Sequence, residues 1–405
     1  MKDKSHTLIR DELPRAFIYR EELLRISETF IKGQAEALTR YQPIYVGLRK
    51  ARTGLVLGAP ALQLNNGTFL LGYLRAKAYC YCPRAPLFHG RLKRLRPSLV
   101  HAHFAIDATQ ALAMHQILRV PLLVSLHGYD IFVNDEAFAQ SRRGRRFLRL
   151  RASLWERAAL VLCVSEAVRR QALAAGIPES KLVVHYTGVN TAALTPAPAD
   201  ARDPKLVVFV GRLVEKKGCS YLIEAMAKIG PSNSRLEVIG DGPLRSSLEE
   251  LAARLGVRAR FLGAQPLSVV LEKMARARVF CVPSVRASTG DSEGFGMVFA
   301  EAQALGTPVV STLHSAIPEV VLHGQTGLLA PERDADALSQ HLQRLLEDDA
   351  LWSAFHHQGV AHVRQSFDLA KQTIRLQQLY DSVLGIAQQV NGGAANLWSP
   401  VAERA

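Results

Sequence analysis

Lys205-Leu-Val-Val-Phe-Val-Gly-Arg-Leu-Val-Glu-Lys-Lys-Gly218 is the stretch on which the reading of this chain turns. An unbroken apolar run ends in Gly211, cations follow, and a helix is expected to start near Ser220. A run without polar alternation reads as a strand buried on both faces, as in parallel sheets covered by helices. Glycine lets the backbone turn at the strand end, and Arg212 and Lys217 can converge on an anion at the helix N-terminus. Taken alone, the piece could equally be a solvated loop in a basic protein.

The same pattern repeats in both directions. Downstream, LEVIGDG (236–242), ARFLG (259–263), VFCVPS (279–284) and PVVST (308–312) read as further strands. Upstream, AFIY (16–19), PIYVGL (43–48), LVHAHF (99–104), LLVSLH (122–127), LVLCVS (160–165) and LVVHY (182–186) do the same, with helical segments such as Ala105–Leu118 and Ala167–Ala175 between them. Apolar strands alternating with helices predict α/β architecture with two parallel sheets. Thr191–Asp200, rich in Pro and Ala, reads as the linker, so two Rossmann-like domains should face each other across a cleft. Ligands then belong outside the carboxyl ends of the strands.

The length of 405 residues fits two or three domains. The N-terminal stretch has no apolar core, so it is not read as a signal peptide, and no run approaches the ~20 apolar residues that span a bilayer. Five cysteines are odd in number; Cys163 and Cys281 sit in strand-like runs and Cys80 and Cys82 lack a second pair, so the thiols read as structural in a reducing compartment. Asn66-Gly67-Thr68 is read as a chance glycosylation match. The net charge of +14 is one-sided: residues 1–199 carry 29 basic and 14 acidic groups, residues 200–405 carry 21 and 22. An anionic partner on the first half is implied: phospholipid, a phosphorylated acceptor or nucleic acid.

A second strand end carries chemistry. Gly290-Asp-Ser-Glu293-Gly-Phe-Gly-Met-Val-Phe-Ala-Glu301-Ala-Gln-Ala-Leu-Gly306 opens on glycines and continues as a helix from about Phe295 to Leu305. Gly294 and Gly296 let a ligand approach the backbone, and a helix start offers free N–H groups to phosphate. Glu293 in the loop and Glu301 on the helix can face different parts of one ligand, and carboxylates accept hydrogen bonds from sugar hydroxyls. The alternatives are a surface glutamate at 301 and a helix cap at 293.

The spacing of Glu293 and Glu301 resembles the E-x7-E motif of retaining glycosyltransferases of family 4, which have the GT-B fold, and the resemblance extends over most of the chain. It implies domains at 1–195 (acceptor side) and 196–366 (nucleotide-sugar side), a helix at 367–390 crossing back, and a loose tail at 391–405. It also implies that Arg212 and Lys217 neutralise donor phosphates, that Glu293 with the backbone at Gly294, Phe295 and Gly296 holds the transferred sugar, and that Glu301 holds the ribose. His127, in His127-Gly-Tyr-Asp130 at a strand end, would sit beside the C6 group of that sugar. His127, Glu293, Arg212 and Lys217 are therefore the catalytic candidates, and Ser27, His103 and Asp130 the acceptor-side ones. Asp130 could equally cap a helix before Ile131. Arg25-Ile-Ser-Glu-Thr-Phe-Ile31 looks like the S-E-T-F-I stretch of bacterial exopolysaccharide transferases of colanic-acid type, where many relatives have paired glycines.

The resemblance implies a metal-independent hexosyltransferase-type enzyme without a cofactor, transferring from a nucleoside-diphosphate sugar to a lipid-linked saccharide at the cytoplasmic face of a membrane. A soluble acceptor and a non-catalytic sugar-nucleotide binder are the alternatives. The basic excess has addresses in Arg91, Lys93, Arg94 and Arg96, and in Arg142, Arg143, Arg145, Arg146, Arg149 and Arg151. If helical, the second group could lay its arginines along an anionic membrane; a solvated helix packed on the sheet is the plainer reading. No dinucleotide G-x-G-x-x-G follows a first strand, and no zinc finger or basic–aromatic motif points to nucleic acid.

Overall fold

Among the described residues nine strands occupy the first half of the chain: β1 (Arg15–Tyr19), β2 (Glu22–Leu23), β3 (Gln42–Gly47), β4 (Arg49–Lys50), β5 (Ala61–Gln63), β6 (Leu99–His103), β7 (Leu122–Leu126), β8 (Leu160–Cys163) and β9 (Leu182–Val184). Six follow: β10 (Asp203–Val210), β11 (Arg235–Ile239), β12 (Ala259–Gly263), β13 (Ala277–Cys281), β14 (Val309–Thr312) and β15 (Gly327–Ala330). The computed structural model of the protein describes residues 13–51, 53–64, 74, 78–79 and 89–386. Cys80, Cys82, the Asn66–Thr68 triplet, residues 1–12 and residues 387–405 lie outside the described residues.

Two parallel sheets result, with orders β5-β3-β1-β6-β7-β8-β9 and β12-β11-β10-β13-β14-β15, and β2 pairs with β4 in a short ribbon. Central strands such as Leu122–Leu126 are buried along their whole length, because helices cover both faces. In each sheet the strand order reverses beside the first strand, at β1 and at β10, so the ends of β1, β6, β10 and β13 border the crevices where ligands of such sheets bind. Strands β5 and β15 had no reading in the sequence. Cys163, Cys219 and Cys281 are free and buried, and burial pushes the first two thiols up to about 12.

The helix Leu369–Leu384 lies against the first sheet. Its N-cap is Asp368, which accepts from Lys371 N at 3.1 Å, and Leu369 N donates to Val189 O at 2.8 Å, tying its start to the interdomain segment. Leu376 and Tyr380 are buried among Ile18, Tyr41, Tyr45, Leu99, Leu123 and Leu162. Tyr41 OH donates to Asp381 Oδ1 at 2.7 Å, and Gln377 Oε1 accepts from Thr39 N and Arg40 N at 2.9 and 2.7 Å. The last helix thus completes the core of the domain that the chain built first.

The arginine-rich segment is the helix Arg142–Arg157, capped by Ser141. Phe147, Leu154 and Trp155 face the core and Arg142, Arg145 and Arg149 are exposed. Two of the six arginines are engaged by carboxylates. Arg143 turns inward to Asp107 and to Glu21, 3.0 Å from the latter, and Arg151 grips Asp135 through bonds of 2.6 and 2.7 Å.

Leu376→Ala should cost about 2–5 kcal/mol, the range for truncating a well-packed core leucine. Urea unfolding should show a lower midpoint with an unchanged m-value. A midpoint equal to that of the parent protein would mean the returning helix contributes nothing to the first core.

Candidate active site

The loop after β10 places two lysines on two carboxylates. Lys217 Nζ lies 2.6 Å from Glu293 Oε2, and Lys216 Nζ lies 3.0 Å from Asp291 Oδ1. Gly218 adopts φ +63 and a Cβ there would stand 1.9 Å from Pro283 O, so only glycine lets this loop cross the end of β13. Ser284 Oγ donates to Glu293 Oε2 at 3.3 Å. Burial pushes the Glu293 carboxyl up, but Lys217, Lys216 and the Ser284 hydroxyl outweigh it and hold it at about 2. Arg212, by contrast, is exposed and its guanidinium makes no hydrogen bond or ion pair among the described residues. Its charge is felt at Tyr129 across the cleft.

The helix after Glu293 begins at Met297, because Gly296 sits at φ +85 and stops it from extending back to Phe295. Glu301 is partly buried on this helix, and its carboxyl has no hydrogen-bond or ion-pair partner among the described residues. Burial alone raises its pKa to about 7. The ring of Phe295 packs against Tyr186 and Phe367, with centroids 6.0 and 5.2 Å away.

Gly294 also has a neighbour in the other domain. A Cβ at Gly294 would lie 2.1 Å from His127 O, and one at Gly128 (φ +103) would lie 2.8 Å from Gly294 Cα. The small residue admits the loop of the other domain. Ser165 Oγ reinforces the contact by donating to Gly294 O at 2.7 Å. Beside it, Glu319 accepts from Glu166 N and Ala167 N, both at 2.8 Å, capping a first-domain helix from the second domain.

Through its backbone, His127 is thereby brought against Gly294, the residue after Glu293. Its Nε2 is 3.1 Å from His103 Nδ1, and its ring lies 4.5 Å from Phe104 and 5.0 Å from Phe30, centroid to centroid. Burial holds both imidazoles well below the usual histidine range, with the neighbouring histidines and Arg20 acting in the same direction. Asp130, an acceptor-side candidate, is turned into the protein. Its oxygens accept from Ala105 N at 2.8 Å and His127 N at 2.9 Å, so it fixes both loops and offers nothing to an acceptor. Burial raises its pKa to about 6 against the pull of those N–H groups. Ser27 is exposed on the loop before the helix Thr29–Glu36.

Sequence reasoning missed the charged group under that loop. Arg20, the residue after β1, donates to Glu28 Oε1 and to Asp107 Oδ2, each at 2.5 Å, and lies over the Phe104 ring at 4.3 Å. Glu21 accepts from Gln110 Nε2 at 2.8 Å and pairs with Arg143. A charged pair placed directly after the apolar strand was the available signal. Glu28 inside the S-E-T-F-I stretch therefore anchors that loop from below. Among the described residues no group of three or more His, Cys, Asp and Glu side chains gathers as a metal site would.

Two family models match the chain in tandem: "Glycosyltransferase Family 4" over residues 58–193 and "Glycosyl transferases group 1" over residues 194–360. Among curated relatives, an Escherichia coli K12 protein named as a colanic acid biosynthesis glycosyltransferase is 32% identical over 254 residues, 61% of each chain. The amylovoran biosynthesis glycosyltransferase of Erwinia amylovora is 31% identical over 257 residues, 62% of this chain and 61% of its own. The match thus spans about three fifths of these relatives' length. Of solved structures, an Anabaena chain in complex with UDP and glucose superposes with a TM-score of 0.72 at 22% identity, over 91% of this chain and all of its own. Sucrose-phosphate synthase of Thermosynechococcus elongatus gives 0.72 at 22% identity, over 93% and all of its own. These likenesses establish the two-domain GT-B fold. With both halves matched in order, the chain belongs to the group 1 and family 4 glycosyltransferases.

Proposed function

We propose that the protein transfers a sugar from a nucleoside-diphosphate sugar to an acceptor hydroxyl, with retention of anomeric configuration. The observation that carries this reading is the seating of the His127–Gly128 backbone of one domain on Gly294 of the other, next to the ionised Glu293. Around it stand an unengaged guanidinium at Arg212 and an unpartnered carboxyl at Glu301. Glu293, held ionised by Lys217, is an acceptor for the hydroxyls of the donor sugar. Arg212, joined by Lys217, stabilises the diphosphate before and after it leaves, a preorganised electrostatic role that assigns charge neutralisation to side chains. The leaving diphosphate takes the proton of the acceptor hydroxyl on the same face of the sugar. Glu301 gains hydrogen-bond partners only when ribose hydroxyls reach it. The neighbour that holds UDP and glucose, and the relatives named for polysaccharide biosynthesis, support this donor class and an exopolysaccharide role. We take the acceptor to be a lipid-linked saccharide presented at the cytoplasmic face of a membrane.

Incubation with a panel of nucleoside-diphosphate sugars should release nucleotide from one donor, and faster when a lipid-linked saccharide is added. A soluble acceptor working as well would move the reading to small-molecule glycosylation. Tight donor binding with no turnover on either acceptor would overturn catalysis.

Donor affinity should depend on pH through Glu301. The free carboxyl titrates near 7, and hydrogen bonds from ribose favour its charged form, so binding releases a proton. Affinity should therefore rise with pH and level off above about 8, and weaken by up to about tenfold per unit below 7. Calorimetric titration should show this slope flattened in Glu301→Gln; an equal slope in both proteins would remove Glu301 from the donor site.

The membrane reading rests on the four arginines not committed to carboxylates. Replacing Arg142, Arg145, Arg146 and Arg149 together with Gln should move the protein from anionic liposomes to the soluble fraction, at about 1 kcal/mol for each charge near the surface. Flotation equal to that of the parent protein would refute this use of the helix.

A further inference from the structure

Three histidines run in line from the returning helix to the cleft. His101 and His103 point to the same side of β6, two residues apart. His101 is held at both ring nitrogens, by Tyr380 OH of the last helix and by Ser125 Oγ of β7, each at 2.7 Å. Its ring lies 4.3 Å from that of His103, which in turn bonds to His127 through Nδ1 and Nε2 at 3.1 Å. Among the described residues, no hydrogen bond reaches the Nδ1 of His127. Burial keeps all three rings neutral, His101 down to about 3.

A neutral imidazole has one N–H and one lone pair, so a bond between two of them carries a single proton. That proton either belongs to His127 Nε2 and points at the lone pair of His103 Nδ1, or the reverse. Histidine left to itself favours the Nε2–H form. The first arrangement puts both rings in that favoured form; the second forces both out of it. The hydrogen bond at one nitrogen decides what the other can do.

We propose that His103 is a positioning residue that holds His127 as its Nε2–H form, so that the bare Nδ1 of His127 accepts a hydroxyl of the bound sugar. The clamp on His101 keeps His103 in register, which links the tautomer at the cleft to the packing of the last helix. The inference rests on the placement of His127 at the sugar, but the state of the ring can be read without turnover.

The test uses the full chain labelled with 15N-histidine, with His127 assigned from the signals lost in His127→Gln. Ring-nitrogen NMR should show a protonated Nε2 and a bare Nδ1 for His127. In His103→Phe the two nitrogens should move toward averaged shifts. The kcat should fall on the order of tenfold, the worth of one hydrogen bond, with the donor KM changed less than about threefold. His103→Asn, whose amide oxygen can accept from Nε2, should recover most of both effects and guards against a folding defect in the Phe variant. A protonated Nδ1 in the parent protein, or the parent ring pattern surviving in His103→Phe, overturns the proposal. A changed ring pattern with unchanged kcat overturns the hydroxyl contact, and with it the placement of His127 at the sugar.

Discussion

The carbonyl oxygen of His127 occupies the place where a side chain on Gly294 would begin. That exclusion governs the rest of the molecule. Two parallel sheets can each form and bury their own cores without reference to one another, and only contacts between them decide how the cleft is shaped. Here the backbone of one strand end rests on the backbone of another, with glycine on both sides at Gly128 and Gly294. Ser165 and Glu319 close the contact with hydrogen bonds to Gly294 O and to two N–H groups of a first-domain helix. The His127–Gly128 backbone and Gly294, next to Glu293, can meet because neither glycine can be larger.

Within that frame, three carboxyls that look alike in sequence acquire different states. Glu293 is buried, and the lysines after β10 overcome the cost of burying its charge. Glu301 is shielded from water without a compensating cation or donor, and its proton is held to near neutral pH. Asp130 lies between these cases, raised by burial and drawn down by the N–H groups of Ala105 and His127. Environment assigns the work: one carboxylate is permanently charged, one waits for partners, and one fixes a loop.

Much of this was legible before any coordinates. The strand runs of both halves read correctly because strands buried on both faces are continuously apolar, and the basic loop and the Glu293–Glu301 segment fall at strand ends beside the reversal points. What escaped was decided by distant contacts. That Gly294 also admits the His127 loop, and that the Phe295 ring packs with Tyr186 and Phe367, depends on residues far away in the chain. Arg143 looks like its neighbours in an arginine run, yet the helical turn points it inward to Asp107 and Glu21. The Arg20–Glu28–Asp107 group joins the segment after β1 to Asp107, 87 residues from Arg20, and the pairing of β1 with β6 brings them together. Strands β5 and β15 are edge strands whose Ala-Leu-Gln and Gly-Leu-Leu-Ala lack the β-branched and aromatic residues that mark a strand.

The central claim is that Arg212, Lys217, Glu293 and Glu301 form one donor site closed by His127. A crystal structure with the nucleoside-diphosphate sugar that the protein turns over tests it most directly. The account predicts the diphosphate within hydrogen-bond distance of Arg212 and Lys217, the ribose on Glu301, and the sugar between Glu293 and His127. A nucleotide seated elsewhere, or one bound with Arg212 and Glu301 both untouched, would contradict it.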